Sequence, residues 1–249
     1  MSNLRFYTHS TLSLGITIQL SESAAAHATR ALRLNVGDSA IVFNGDGFDY
    51  GCELISIKKN EVLAKIISEK QISNESPLRI GLLQAISSGD RMDFTIQKAV
   101  ELGITSIQPI TSQRSVVKLS AERAEKRTEH WQNIAISACE QSGRAFVPKV
   151  LAPVSLQNWL TANLQANNTR LLLNPVGALR LAEIPKPNDK IQPHEIQLLI
   201  GAEGGLAPFE IELASNHGFQ SIVLGARILR TETAALTAIA AMQTLWGDF

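Results

Sequence analysis

The residues best placed to do chemistry are those of Gly201-Ala202-Glu203-Gly204-Gly205-Leu206, which follow directly on the apolar run Leu198-Leu199-Ile200. The pattern recurs at Ile222-Val223-Leu224, followed by Gly225-Ala226-Arg227-Ile228-Leu229-Arg230-Thr231-Glu232-Thr233 and an Ala-rich stretch. Glycine lets the main chain approach a ligand closely. Two glycine turns at the ends of buried parallel strands would therefore offer backbone N–H and C=O groups to one small molecule. Neither turn is a dinucleotide fingerprint or a phosphate loop, and Glu203 inside the first would repel a phosphate. The expected ligand lacks a phosphate or is cationic. Arg227 and Arg230 stand beside polar residues that suit a helix start, and read as handles for an anion or a substrate.

A second group lies mid-chain: Arg91 and Lys98 on one predicted helix, Arg114 after a strand, Lys118, and Glu140-Gln141-Ser142-Gly143-Arg144. Arg114 and Arg144 fall at element ends, where functional groups concentrate. Arg123, Lys126 and Arg127 read as a solvated helix face. No Gly-x-Ser-x-Gly elbow occurs, and His9, His27, His130, His194 and His217 are scattered without metal-ligand spacing, so no metal is expected.

These residues need a scaffold, and the 249-residue chain can supply one or two domains. It is 45% apolar and 18% charged with zero formal net charge, so no overall basic field announces a nucleic-acid partner. Cys52 and Cys139 show neither metal nor disulfide spacing, and no apolar run is long enough to span a membrane, which points to a cytoplasmic setting. Residues 1–72 read as a small β-barrel. Asn44-Gly45-Asp46-Gly47 forms a hairpin turn, a second turn falls at 58–60, and a helix at 21–34 is capped by Ser21. Arg5, Arg30 and Arg33 could share a face there. Polar residues 71–77 mark a boundary, and from 76 to 249 strands and helices alternate as in a parallel α/β sheet. Strands are expected at 78–85, 104–110, 170–173, 196–200 and 221–224. Helices are expected at 90–102 with Asp90 as cap, 120–142, from 155, 208–217 and 232–246, and Pro185, Pro187 and Pro193 mark a long loop.

The segments Arg5-Phe6-Tyr7, residues 27–33, 94–103, 138–144, 200–206 and 224–235 resemble the RsmE-type small-subunit (16S) ribosomal RNA uridine N3-methyltransferases of the SPOUT class. The resemblance implies a PUA-like RNA-binding β-barrel over 1–72 and a SPOUT domain with a deep C-terminal trefoil knot over 76–249. It further implies S-adenosylmethionine as cofactor and a homodimer that completes each active site. Cofactor contacts would come from Leu173, Asn174 and Pro175, from Ile200, Gly201, Ala202, Glu203, Gly204 and Gly205, and from Leu224, Gly225, Arg227, Ile228, Leu229 and Arg230. Catalytic roles would fall to Arg230 and Arg114, with Glu140 and Arg144 contributed across the dimer. RNA, as 16S rRNA or the small ribosomal subunit, would be held by Arg5, Arg30, Arg33, Arg91 and Lys98. The family usually has Pro where Ala202 stands, and basic residues near Ser87 and Ser88. A non-catalytic RNA-binding module would have no need of two close-approach turns, and a nicotinamide or flavin oxidoreductase lacks its fingerprint here.

Overall fold

The computed structural model describes residues 4–58, 61–115, 120–164, 168–176, 179–187 and 195–249. Lys59 and Asn60 of the expected turn at 58–60, Lys118, Pro193 and His194 lie outside the described residues. The chain forms two units, Met1–Glu75 with Ile136–Val147 and Ser76–Ala135 with Pro148–Phe249.

The first unit carries β1 (Arg5–Tyr7), β2 (Thr17–Gln19), α1 (Glu22–Ala26), β3 (Ser39–Phe43), β4 (Phe48–Lys58) and β5 (Glu61–Gln71). Its sheet has the order β1-β3-β4-β5-β2, with β1 parallel to β3 and the other pairs antiparallel. Alternate residues Val42, Leu54, Val62, Ala64 and Ile66 meet Phe6 and Ala28 in its core. The β3–β4 connection is the expected Asn-Gly turn, with Gly45 and Gly47 at φ 92° and 95°. The helix expected at 21–34 is cut short. Ser21 does cap it, but after Ala26 it widens into a π-turn at His27–Ala31, and Arg33 ends it at φ 55°.

Residues 136–147 belong to this unit because its buried charges need them. The Arg5 guanidinium donates to Asp49 at 2.8 Å and to the carbonyls of Gly143 and Arg144 at 3.0 Å each, and lies 4.6 Å from the Phe43 ring centroid. Glu140 accepts the Tyr7 amide at 2.9 Å. Arg144 is buried and grips Glu75 with two nitrogens. Arg5, expected at RNA, and Arg144, expected at the active site, each have a guanidinium buried against a carboxylate of this unit.

The second unit carries β6 (Ile80–Ala85), α2 (Asp90–Glu101), β7 (Ser106–Thr111), α3 (Ala121–Ser142, of which the part from Ile136 belongs to the first unit), β8 (Lys149–Val150), β9 (Val154–Ser155) and α4 (Leu156–Ala162). It continues with β10 (Thr169–Leu173), β11 (Leu179–Arg180), β12 (Ile196–Ile200), α5 (Pro208–Asn216), β13 (Gln220–Val223) and α6 (Thr231–Trp246). All its strand pairs are parallel, in the order β11-β13-β10-β12-β6-β7-β8, with β9 also on β7. The central strands are apolar on both faces because helices cover both. Asp90 is not the cap of α2: Gly89 occupies that position without a capping side chain, and Asp90 is the first helical residue. The short strands β8, β9 and β11 have no sequence pattern of their own, since two residues cannot show a period.

Gln243 of α6 is fully buried, accepting from the Ser76 hydroxyl at 2.7 Å and donating to the Leu102 carbonyl at 2.8 Å. Gly103 and Gly247 make room for it, since a Cβ on either would collide with its amide. Replacing Gln243 by Ala leaves that carbonyl unpaired and opens a void. Calorimetric unfolding should show a loss of about 2–4 kcal/mol.

Candidate active site

A cavity of about 430 Å³ opens beyond the carboxyl ends of β10, β12 and β13. This is where open α/β sheets bind ligands. Three loops build it. The first follows β10 (Leu173, Asn174, Pro175), the second is the turn at 201–205 after Ile200, and the third follows β13 (Leu224, Gly225, Arg227, Ile228, Leu229). Leu206, Ile211 and Ala234 add apolar surface, and Arg114 reaches in from the loop after β7. Every residue expected to touch a cofactor lines this cavity except Arg230. That arginine is exposed at the N-cap of α6, and its neighbours Leu229 and Thr231 line the wall instead.

The first turn is tight enough to require its glycines. A Cβ on Gly201 would lie 2.8 Å from the Gly205 carbonyl carbon, and Gly205 holds φ 69°. The Gly205 amide donates to Ala202 O at 2.8 Å, which closes the turn. Gly204 lies under Arg114, whose Nη1 donates to its carbonyl at 2.9 Å.

The two glycine segments are joined through one hydroxyl. Thr231, the first residue of α6, donates to Gly201 O at 2.6 Å and accepts from Gln84 Nε2 at 3.0 Å. Thr231 is therefore not a helix cap, as its position beside an apolar helix suggests. It fastens α6 to the end of β12. Gln84 is fully buried and went unnoticed in the sequence. A signal existed: it is the one polar side chain in the apolar strand Ile80–Ala85.

Glu203 faces α2. Its Oε1 accepts the Ser88 amide at 2.9 Å, the Ser88 hydroxyl at 2.8 Å and Arg91 Nη1 at 2.9 Å. Burial alone would raise its pKa, but these donors and its own amide outweigh that and hold it down to about 2. Ser88 thus anchors the first turn. Arg91 also lies 4.0 Å from Glu232, and Lys98 pairs with Glu101 at 2.9 Å. Arg30 and Arg33 are exposed on the first unit. Glu140 and Arg144 are engaged within that unit as described above. Because the folded-state pKa of Glu203 is depressed, its contribution to stability is present above its ordinary 4.5 and is lost as pH falls toward 2. Glu203→Gln should flatten the acid limb of a plot of unfolding midpoint against pH over that window.

An RNA methyltransferase domain model matches residues 74–243, and an RNA methyltransferase PUA domain model matches residues 20–67. The ribosomal RNA small subunit methyltransferase E of Buchnera aphidicola (subsp. Schizaphis graminum) is 38% identical over 245 residues, covering 98% of this chain and 97% of its own. The enzyme of that name from Bacillus subtilis is 32% identical, covering 93% of each. Among solved structures, the Neisseria gonorrhoeae methyltransferase E bound to S-adenosyl methionine is 45% identical with a TM-score of 0.90, covering 99% of each chain. A putative methyltransferase from Legionella pneumophila, also in complex with S-adenosylmethionine, is 37% identical with a TM-score of 0.93, covering 100% of each. With matched models over most of its length and relatives of this identity along nearly all of it, the chain belongs to the family of the ribosomal RNA small subunit methyltransferase E.

Proposed function

We propose that this protein transfers a methyl group from S-adenosylmethionine to N3 of a uridine in small-subunit (16S) ribosomal RNA. The observation that carries the reading is the convergence of two glycine segments and the loop after β10 on one cavity of about 430 Å³. That volume is in the range of small-molecule sites. The cavity wall combines main chain and apolar side chains with a few polar groups, Asn174, Arg114 and Arg227 among them, which fits a nucleoside bearing a sulfonium. When bound there, S-adenosylmethionine supplies the methyl group. The turn at 201–205 and the segment 224–229 would hold it through main-chain groups.

The protein's own part is electrostatic and positional. Uracil N3 carries a proton and becomes a good nucleophile only when that proton is lost. Arg114 at the cavity, and Arg230 next in sequence to the wall residue Thr231, would stabilise the developing anion or hold the adjoining phosphate. The target base must leave its stack to reach the cavity. On the first unit, a PUA-like module in this reading, the exposed Arg30 and Arg33 would position RNA through its phosphates.

A deep trefoil knot belongs to the same proposal. It is supported by the return of the chain from β13, across the ends of β10 and β12, to the Thr231–Gly201 contact. A homodimer would bring Glu140 and Arg144 of one protomer to the neighbouring site. No helix among the described residues is long and apolar enough to cross a membrane, which fits work on ribosomal RNA in the cytoplasm.

Titration calorimetry should give one-site heat with S-adenosylmethionine and none with NAD; the reverse result would favour an oxidoreductase. Thr231→Val removes the donor to Gly201 and should weaken S-adenosylmethionine binding about tenfold or more. Mass spectrometry of 16S rRNA from cells lacking this protein should show one N3-methyluridine missing. Full retention of that methyl group would refute the substrate assignment.

A further inference from the structure

We propose that Glu210 is the positioning residue for Arg114, fixing its guanidinium over the first glycine turn; the proposal rests on reading the cavity as the methyl-transfer site. Glu210 lies in the first turn of α5 and is 5% exposed. A carboxylate buried this deeply persists only where donors satisfy it, and here each oxygen has one. Oε2 accepts the Ala207 amide at 2.8 Å, at the point where the chain leaves the glycine turn and enters the helix. Ala207 has no side-chain oxygen to return that bond, so the entry to α5 is capped from Glu210 alone.

The second oxygen carries the inference. Helix entry requires only one. Oε1 accepts the amide of Gln113 at 2.9 Å, from the loop after β7 and far away in sequence. The residue that follows is Arg114, which donates back to Gly204 O at 2.9 Å. Its Cβ is packed so that a side chain on Gly204 would come within 3.3 Å of it. The chain of contacts therefore closes on itself, from the glycine turn through Ala207, Glu210, Gln113 and Arg114 back to the turn.

A closed loop of this kind removes the freedom an exposed arginine would otherwise have to give up when substrate arrives. It also fixes where the guanidinium sits relative to the cavity mouth. An arginine has five N–H donors. Among the described residues the Gly204 carbonyl takes one, and in this proposal the others reach an oxygen of the RNA, on the target base or its phosphate.

The test is a double-mutant cycle with Glu210→Gln, Arg114→Ala and the pair. It reads kcat/KM for 16S RNA at saturating S-adenosylmethionine, cofactor affinity by calorimetry and the unfolding midpoint. Glu210→Gln keeps the side-chain volume and one acceptor. It should lower kcat/KM for RNA about 10- to 100-fold, as misplacing a positioned group does. In the Arg114→Ala background the same change should cost less than about threefold, because the group it positions is already gone. Additive losses, or a loss confined to cofactor affinity, would overturn the assignment. Should Glu210→Gln fail to fold, Gln113→Pro deletes the amide that Glu210 accepts while fixing φ at that position, and it leaves Glu210 itself in place. The same coupling to Arg114 is expected, and unaltered activity would overturn the proposal. A wild-type chain that binds no S-adenosylmethionine would defeat the functional reading itself, whereas an additive cycle in an active enzyme defeats only the role of Glu210.

Discussion

The hydrogen bond from the Thr231 hydroxyl to the Gly201 carbonyl, 2.6 Å long, is the contact on which the site depends. Without it the turn after β12 and the segment after β13 are separate loops on strands that β10 keeps apart. With it they form the opposing walls of one cavity. Gln84 makes the bond directional. By donating to Thr231 Oγ1 it occupies one of the hydroxyl's two lone pairs and favours the rotamer whose proton points to Gly201. A single buried amide on β6 thus sets the orientation of a hydroxyl on α6, which in turn sets the distance between two loops.

Charge in the second unit is arranged by the same economy of partners. The formal net charge of the chain is zero, and two cations of α2 are paired with carboxylates. Arg91 is held by Glu203 and Lys98 by Glu101. Arg114 differs because it rests on a carbonyl and not on a carboxylate, so it keeps its positive field at the cavity mouth. Glu203, the acid that in sequence suggests a counter-ion for a cationic ligand, is turned to the start of α2, and its charge supports the backbone there. The cavity therefore recognises its ligand chiefly by shape and main-chain groups, with arginine left for whatever carries negative charge.

Much of this could be read from the chain. Buried parallel strands announce themselves as continuous apolar runs, and the strands over 80–85, 196–200 and 220–223 lie within two residues of where those runs place them. The glycine turns are legible because a sharp bend needs residues without a Cβ. What stayed hidden depends on partners remote in sequence. Arg5 and Arg144 look like any surface arginine until Asp49 and Glu75 are brought beside them. The π-turn after Ala26 and the capping of α2 by Gly89 are choices of local geometry among near-equal alternatives, and tertiary packing decides them. Gln84 and Glu210 are ordinary residue types whose weight comes entirely from what they touch.

The recruitment of residues 136–147 into the first unit bears on how the protein is made. On a ribosome the N-terminal sheet emerges long before Gly143 and Arg144 supply the carbonyls that Arg5 requires, and before Arg144 reaches Glu75. Until then Arg5 and Asp49 face each other in an unfinished interior. Vectorial synthesis therefore cannot complete this unit first and the next one second. A fragment cut at residue 75 would carry the strands of the module but not the segment that closes it.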